Sequence, residues 1–185
     1  MATLSDQVKK RNENPPIGET PAIILNNPKY VHNVGGIIRA ASSWGIKQVW
    51  ITGKRVFNLL DDLDRLPREE RMKGYYDVSW QFNDRPFDYF RNKHTVVGVE
   101  LLEGSSNIMS YQHNKNTIYV FGPEDGSIQK TFRMQCHSFV FLPTAHCLNL
   151  SAAVNVVMYD RSLKLSTNKY LTLDEYLKED RGFIE

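Results

Sequence analysis

The sequence predicts an α/β protein: a mainly parallel sheet with helices on both faces. Two observations carry that prediction. Short apolar runs of strand length recur along the chain, at Ala22–Asn26, Lys47–Thr52, Thr95–Leu101, Thr117–Phe121 and Ser138–Leu142. Helix-like stretches separate them, and strands alternating with helices build a parallel sheet covered on both sides. A third observation sharpens the strand ends. Gly53, Gly122 and Pro143 each follow an apolar run directly or within a residue, and both residue types punctuate regular structure.

Residues 1–21 read as a polar arm ending in a stretch with Pro15, Pro16, Gly18 and Pro21. Residues 22–165 form the folded domain. A helix is expected over Asn33–Trp44, where Gly35, Gly36, Ala40 and Ala41 permit close packing. Residues 57–73 are charge-rich and in part helical, broken at Pro67. Tyr75–Trp80 reads as a short strand. Pro86–Asn92 reads as a helix, with proline at a favoured first-turn position. Helices are also expected at Ile128–Met134 and Asn149–Tyr159. Residues 166–185 read as a helical tail, with a capping box from Thr172 to Glu175 opening a helix over Thr172–Glu179.

Composition bounds the function only loosely. A chain of 185 residues suits one domain, and 41% hydrophobic residues can fill one core. No apolar run approaches the roughly twenty residues that cross a bilayer, so a soluble, cytoplasmic protein with no membrane association is expected. The two cysteines, Cys136 and Cys147, show no CxxC spacing, which argues against structural zinc. With nothing to suggest secretion, reduced thiols are expected. A formal net charge of +2 hints only weakly at an anionic partner.

In parallel sheets, ligands bind beyond the carboxyl ends of the strands. The loops there hold the densest polar and glycine signals. The first, Asn26 to Gly36, runs into a helix carrying Asn33 and Arg39. Asn33 reads as a helix cap or a site residue, and Arg39 as a surface ion-pair partner or a site residue. The second is Gly122-Pro123-Glu124-Asp125-Gly126-Ser127, where glycine allows backbone to approach a ligand closely. Glu124 and Asp125 read there as acidic residues favoured at a helix start. It is neither a GxGxxG fingerprint nor a Walker loop. The third runs from Pro143 to Ser151, with Asn149 as a helix cap. His146 beside Cys147 suggests a nucleophilic dyad. Adjacent residues rarely aim both groups at one atom, and no orienting third group is evident.

Order and spacing together are more specific than any one motif. Asn33-Val34-Gly35 with Arg39 resembles an N-x-G-x-x-x-R motif. Phe121-Gly122-Pro123-Glu124 resembles a strand followed by G-x-E. Leu142-Pro143 with Leu148-Asn149-Leu150-Ser151 resembles I-P…S-L-N-V-S. These are the motifs of the SpoU (TrmH-like) branch of the SPOUT methyltransferases, and the resemblance covers about residues 22–161. It implies a C-terminal deep trefoil knot, an exception to the rule that chains avoid knots. It implies a homodimer and S-adenosyl-L-methionine as methyl donor. Donor contacts are expected from Val99, Glu100, Gly122, Leu142, Cys147 and Leu148. The implied reaction is methylation of a ribose 2′-hydroxyl in RNA, tRNA being favoured and rRNA possible. Arg39 would hold a phosphate through its planar fork, with Asn33, Glu124 and Asn149 fixing loops, Arg39 and the ribose.

Four departures are visible. Cys147 stands where the family has serine, the loop from Pro143 to Asn149 is shorter than usual, Thr144 replaces a common methionine, and one residue separates Glu124 from Gly126 where the family has two. They leave open a non-catalytic RNA-binding or assembly protein that keeps the fold. For RNA contact, Lys9, Lys10 and Arg11 could form a basic arm. Arg65, Arg68, Arg71 and Lys73 are interleaved with acids, so a solvated mixed-charge face is at least as good a reading. Tyr75, Tyr76 and Trp80 suit either base stacking or core packing.

Overall fold

A computed structural model describes residues 17–60, 78–91 and 93–165. The expected helix over Thr172–Glu179 and the basic arm at Lys9–Arg11 lie outside them, as does most of the charge-rich stretch 57–73.

Seven strands form one sheet in the order β3-β2-β1-β6-β4-β7-β5, every neighbouring pair parallel. They are β1 (Ala22–Asn26), β2 (Gln48–Thr52), β3 (Ser79–Phe82), β4 (Thr95–Val99), β5 (Ser106–Asn107), β6 (Thr117–Phe121) and β7 (Ser138–Phe141). The helices are α1 (Val31–Ser43), α2 (Arg55–Leu60), α3 (Lys130–Arg133) and α4 (Leu150–Leu165). The α/β prediction is therefore correct. β1, β2 and β6 are buried along their whole length, as expected of strands covered on both faces.

Alternation along the strands divides the core in two. Ile23, Leu25, Val49, Ile51, Val97, Tyr119, Phe121 and Val140 point to the face covered by α1 and α4. Those helices answer with Val34, Ile37, Ile38 and Ala41, and with Val154, Val157 and Met158. Ala22, Ile24, Trp50, Val96, Ile118 and Val120 point the other way. There the cover is thinner and aromatic: Phe132 from α3, and Phe87, Tyr89 and Phe90 from the segment after β3. Trp50 stacks on Tyr89 with ring centroids 5.4 Å apart.

Several boundaries differ from expectation. The helix expected over Pro86–Asn92 is a single 3₁₀ turn, Pro86–Tyr89. The strand expected at Tyr75–Trp80 is β3, displaced toward Phe82. The helix expected over Ile128–Met134 shrinks to Lys130–Arg133, so Glu124 and Asp125 sit in a loop and not at a helix start. α4 runs to Leu165, six residues beyond the expected Tyr159. β5 is too short and polar to have been foreseen.

Candidate active site

The carboxyl ends of β1, β2 and β6 are adjacent by register, Leu25 pairing with Phe121 and Asn26 with Thr52. Two backbone features turn the chain sharply there. Asn27 has φ 53°, in the left-handed region that Asn tolerates better than most residues. Gly53 has φ 78°, and a Cβ on it would fall 2.3 Å from the Asn27 side-chain oxygen. Beneath the turns, buried Asn26 donates to Thr52 Oγ1 at 3.1 Å and accepts from the Gln129 amide at 2.8 Å.

The three sequence motifs meet in one hydrogen-bonded chain. Glu124 accepts from the Lys29 amide at 2.7 Å through Oε2, and from Asn33 Nδ2 at 2.6 Å through Oε1. Asn33 Oδ1 accepts from Asn149 Nδ2 at 2.8 Å. Asn149 Oδ1 accepts from the Ser151 amide at 2.9 Å and the Ala152 amide at 3.3 Å. Asn149 thus caps α4, as the sequence suggested. Asn33 does not cap α1. That helix opens at Val31 after Tyr30, without a side-chain cap, and Asn33 lies buried inside its first turn. Its amide is committed on both sides, to Glu124 and to Asn149.

Arg39 lies on α1 six residues after Asn33 and is exposed. It shares its helix face with exposed His32 and with Gly36. A Cβ on Gly36 would stand 2.7 Å from Ser151 Oγ. The small residues on both helices therefore let α1 and α4 cross closely, with Arg39 beside the crossing.

The expected donor-binding residues lie on three neighbouring strand ends, after β4, β6 and β7. Glu100 does more than line a cavity: its carboxylate accepts from the Ile128 amide at 2.9 Å. It ties the β4 end to the far side of the Gly122–Ser127 loop. Gly122 could not carry a side chain without crowding Ile128, whose amide nitrogen would be 3.0 Å from the Cβ. Val99 and Leu142 are half-buried, and Cys147 and Leu148 are exposed. Leu101, just past Glu100, is 78% exposed. Open apolar side chains on two loops beside a side-chain-free glycine suit a ligand with a flat apolar ring.

Sequence reasoning missed an ion cluster at the rim. Asp125 accepts from Arg55 Nη1 and Nη2, both at 2.8 Å, and lies 3.1 Å from Lys29 Nζ. Arg55 and then Lys29 hold its carboxyl well below the usual carboxylate range. Lys29 and Asp125 lie in two of the loops the sequence singled out, but Arg55 opens α2 after β2, in a segment it did not.

His146 and Cys147 are both exposed, and both cysteines are free. Among the described residues no cluster of His, Cys, Asp or Glu could hold a metal ion, and no helix is long and apolar enough to cross a membrane. A cavity of about 630 Å³ lies elsewhere, lined by Lys93, His94, Thr95, His113 and Asn114–Asn116 at the amino ends of β4 and β6. It is distinct from the motif residues, which sit at the opposite ends of the strands.

The model of the SpoU rRNA Methylase family matches residues 21–159. The chain belongs to that family. It is 28% identical over 182 residues to the tRNA (cytidine-2′-O-)-methyltransferase TrmJ of Methanocaldococcus jannaschii, covering 88% of this chain and 77% of that protein. The TrmH/SpoU tRNA modifying enzyme of A. aeolicus superposes with a TM-score of 0.68 at 16% identity, over 93% of this chain and 91% of that one. The SpoU methyltransferase AviRb of Streptomyces viridochromogenes, solved with AdoMet, gives a TM-score of 0.67 at 16% identity over 85% of this chain. This SpoU-family chain spans 65% of the length of AviRb.

Proposed function

We propose that this SpoU-family protein transfers a methyl group from S-adenosyl-L-methionine to a ribose 2′-hydroxyl of tRNA. One observation carries the reading: the Glu124–Asn33–Asn149 chain joins three loops far apart in sequence and leaves Arg39 on the same helix, open to solvent. A fold needs no such convergence for stability alone, whereas a reacting centre needs its groups held within fractions of an ångström.

When bound, S-adenosyl-L-methionine supplies an electrophilic methyl group on a cationic sulfur. Val99, Glu100, Gly122, Leu142, Cys147 and Leu148 would hold it through backbone groups and apolar contact. Arg39 grips a phosphate next to the target ribose bidentately and favours negative charge on the attacking oxygen. Asn33, Glu124 and Asn149 hold the loops in register with α1. Fixing both reactants this way supplies up to roughly 7–11 kcal/mol in ideal cases.

Two structural features support the rest of the family pattern. β6 inserts between β1 and β4, and β7 between β4 and β5; strands that enter between earlier neighbours support a knotted C-terminal path. Val156, Tyr159 and Leu163 form an exposed stripe on α4, 41%, 58% and 64% accessible. Their spacing puts them on one helix face, which supports a homodimer through that surface. A tRNA substrate is consistent with the expected cytoplasmic location.

The test is incubation of the full chain with total RNA and labelled donor, followed by mapping of the modified ribose. Label in tRNA at one 2′-oxygen is expected. Calorimetry showing no donor binding at millimolar ligand would overturn the reading. Donor binding without any transfer would favour the non-catalytic alternative, for which Cys147 in the family's serine position is the specific observation.

A further inference from the structure

We propose that Lys29 and Arg55 form a clamp for a backbone phosphate of the substrate RNA, and that Asp125 occupies this clamp in the RNA-free protein. The inference rests on the RNA-methyltransferase reading and adds to it a binding site outside the motif residues.

The strand order brings the three residues together. β2, β1 and β6 are consecutive neighbours in the sheet. Arg55 follows the end of β2, Lys29 follows β1, and Asp125 follows β6. Their loops therefore meet at one rim. The clamp is fastened to the motif chain on both sides. Lys29 offers its amide to Glu124, and Asp125 is the next residue after Glu124.

The geometry is that of oxyanion recognition. Arg55 meets both Asp125 oxygens in parallel at 2.8 Å, the fork arrangement by which guanidinium also takes two phosphate oxygens. Lys29 adds a third donor at 3.1 Å from Oδ2. Two cations meet on one carboxylate, while the neighbouring Glu124 carboxylate, which also faces Arg55, is already committed to the Lys29 amide and to Asn33. All three side chains stay accessible, at 34–44%. Single exposed ion pairs add little to stability, and a bidentate, networked group such as this adds more; its accessibility also leaves the same donors within reach of a ligand. Accessible cations at the mouth of a ribose-modifying site have a natural polyanionic partner. Tyr30 and His32, stacked with centroids 5.4 Å apart, lie on the same loop and helix start, beside the clamp.

Asp125 gives the clamp a threshold. A phosphate must displace the carboxylate, so a lone anion competes poorly. A chain already anchored at Arg39 presents its neighbouring phosphate at high effective concentration. The arrangement favours RNA seated in the site over RNA touching the surface.

The experiment is a salt series of binding by the full chain, read by fluorescence anisotropy. The probes are a labelled unmodified tRNA transcript and a short labelled oligouridylate. Lys29→Ala and Arg55→Ala are expected to weaken tRNA binding and to reduce the slope of log affinity against log salt by roughly 0.7–0.9 each. That slope change amounts to about threefold per fourfold rise in salt. Asp125→Asn is expected to act in the opposite direction. It tightens binding of both RNAs, the oligouridylate more, and so narrows the preference for tRNA. A merely structural cluster predicts the contrary, since all three substitutions would then weaken binding together. That pattern overturns the proposal, as does an unchanged salt slope in both cation variants. Donor affinity, measured in parallel on each variant, reports separately on the methyltransferase reading.

Discussion

Asn149 donates a hydrogen bond to the Asn33 side-chain oxygen at 2.8 Å, across 116 positions of sequence. The same Asn149 caps α4 through its own oxygen, so one side chain performs a local and a long-range task. The two tasks can be separated. Asn149→Ser keeps a good cap but is too short to reach Asn33. Its unfolding midpoint should stay near that of the wild type while methyl transfer falls. Asn149→Ala loses both, with an added stability cost of about 1 kcal/mol. Denaturant titration beside initial rates checks the pair. Equal activity in the serine variant would remove Asn149 from the site.

Arg39 makes the complementary prediction. It is exposed on α1, so Arg39→Ala should leave stability within about 0.5 kcal/mol, as surface substitutions do. Transfer should fall by at least about a hundredfold, the range for losing one charge-stabilising donor. Arg39→Lys should recover little, because an ammonium lacks the bidentate fork. Single-turnover rates at saturating donor check this. Near-normal transfer by the alanine variant would end the role assigned to Arg39.

The sheet was legible because its central strands are largely apolar, with β2 and β6 stopping directly at Gly53 and Gly122; β1, β2 and β6 lie close to where the sequence put them. β5 was invisible because Ser106 and Asn107 carry no apolar pattern. Pro86 announced a helix start, but only one 3₁₀ turn follows. The motif residues could be named, yet their arrangement could not. Asn33 looked like a cap because caps are local signals. Its actual partners, Glu124 and Asn149, lie 91 and 116 residues away. The Asp125 cluster was hidden for the same reason, since its residues meet only once β2, β1 and β6 are side by side.

Gly98 on β4 is paired in register with Phe139 on β7. A Cβ at Gly98 would lie 2.4 Å from the Phe139 ring and 3.3 Å from Cys136 Sγ. Glycine is therefore required for the ring to cover the strand. Burial first, then the charge of Glu100, pushes the Cys136 thiol up to about 12. Cys136 should resist alkylation at neutral pH, while exposed Cys147 reacts. Gly98→Ala should cost about 1–3 kcal/mol by overpacking and, by displacing the ring, should make Cys136 reactive. Peptide mapping after brief iodoacetamide treatment reads both thiols. A Cys136 equally inert in the alanine variant would contradict the displacement.

His113 yields a prediction in pH. Its ring is enclosed between Tyr119 Oη at 2.7 Å and Asp160 Oδ2 at 2.7 Å. A neutral imidazole suits both contacts, accepting from the phenol at Nδ1 and donating to the carboxylate at Nε2. Lys164 already pairs with Asp160 at 2.9 Å, Arg161 lies on the same helix, and the Tyr111 ring packs edge-on. Burial lowers the pKa of His113 below 6.5; the Asp160 contact opposes this, and Lys164 and Arg161 reinforce it. Between that lowered value and 6.5 the unfolded chain binds the proton and the folded chain does not. This contribution to stability is therefore complete above about pH 6.5 and is lost as pH falls below it, with a slope of at most about 1.4 kcal/mol per pH unit. His113→Gln can keep one contact and carries no titrating ring. Its stability should be lower than wild type at pH 7 and decline less steeply between pH 6.5 and 5. Denaturant midpoints across that range give the difference directly, and parallel curves for the two proteins would show that His113 does not supply the acid sensitivity.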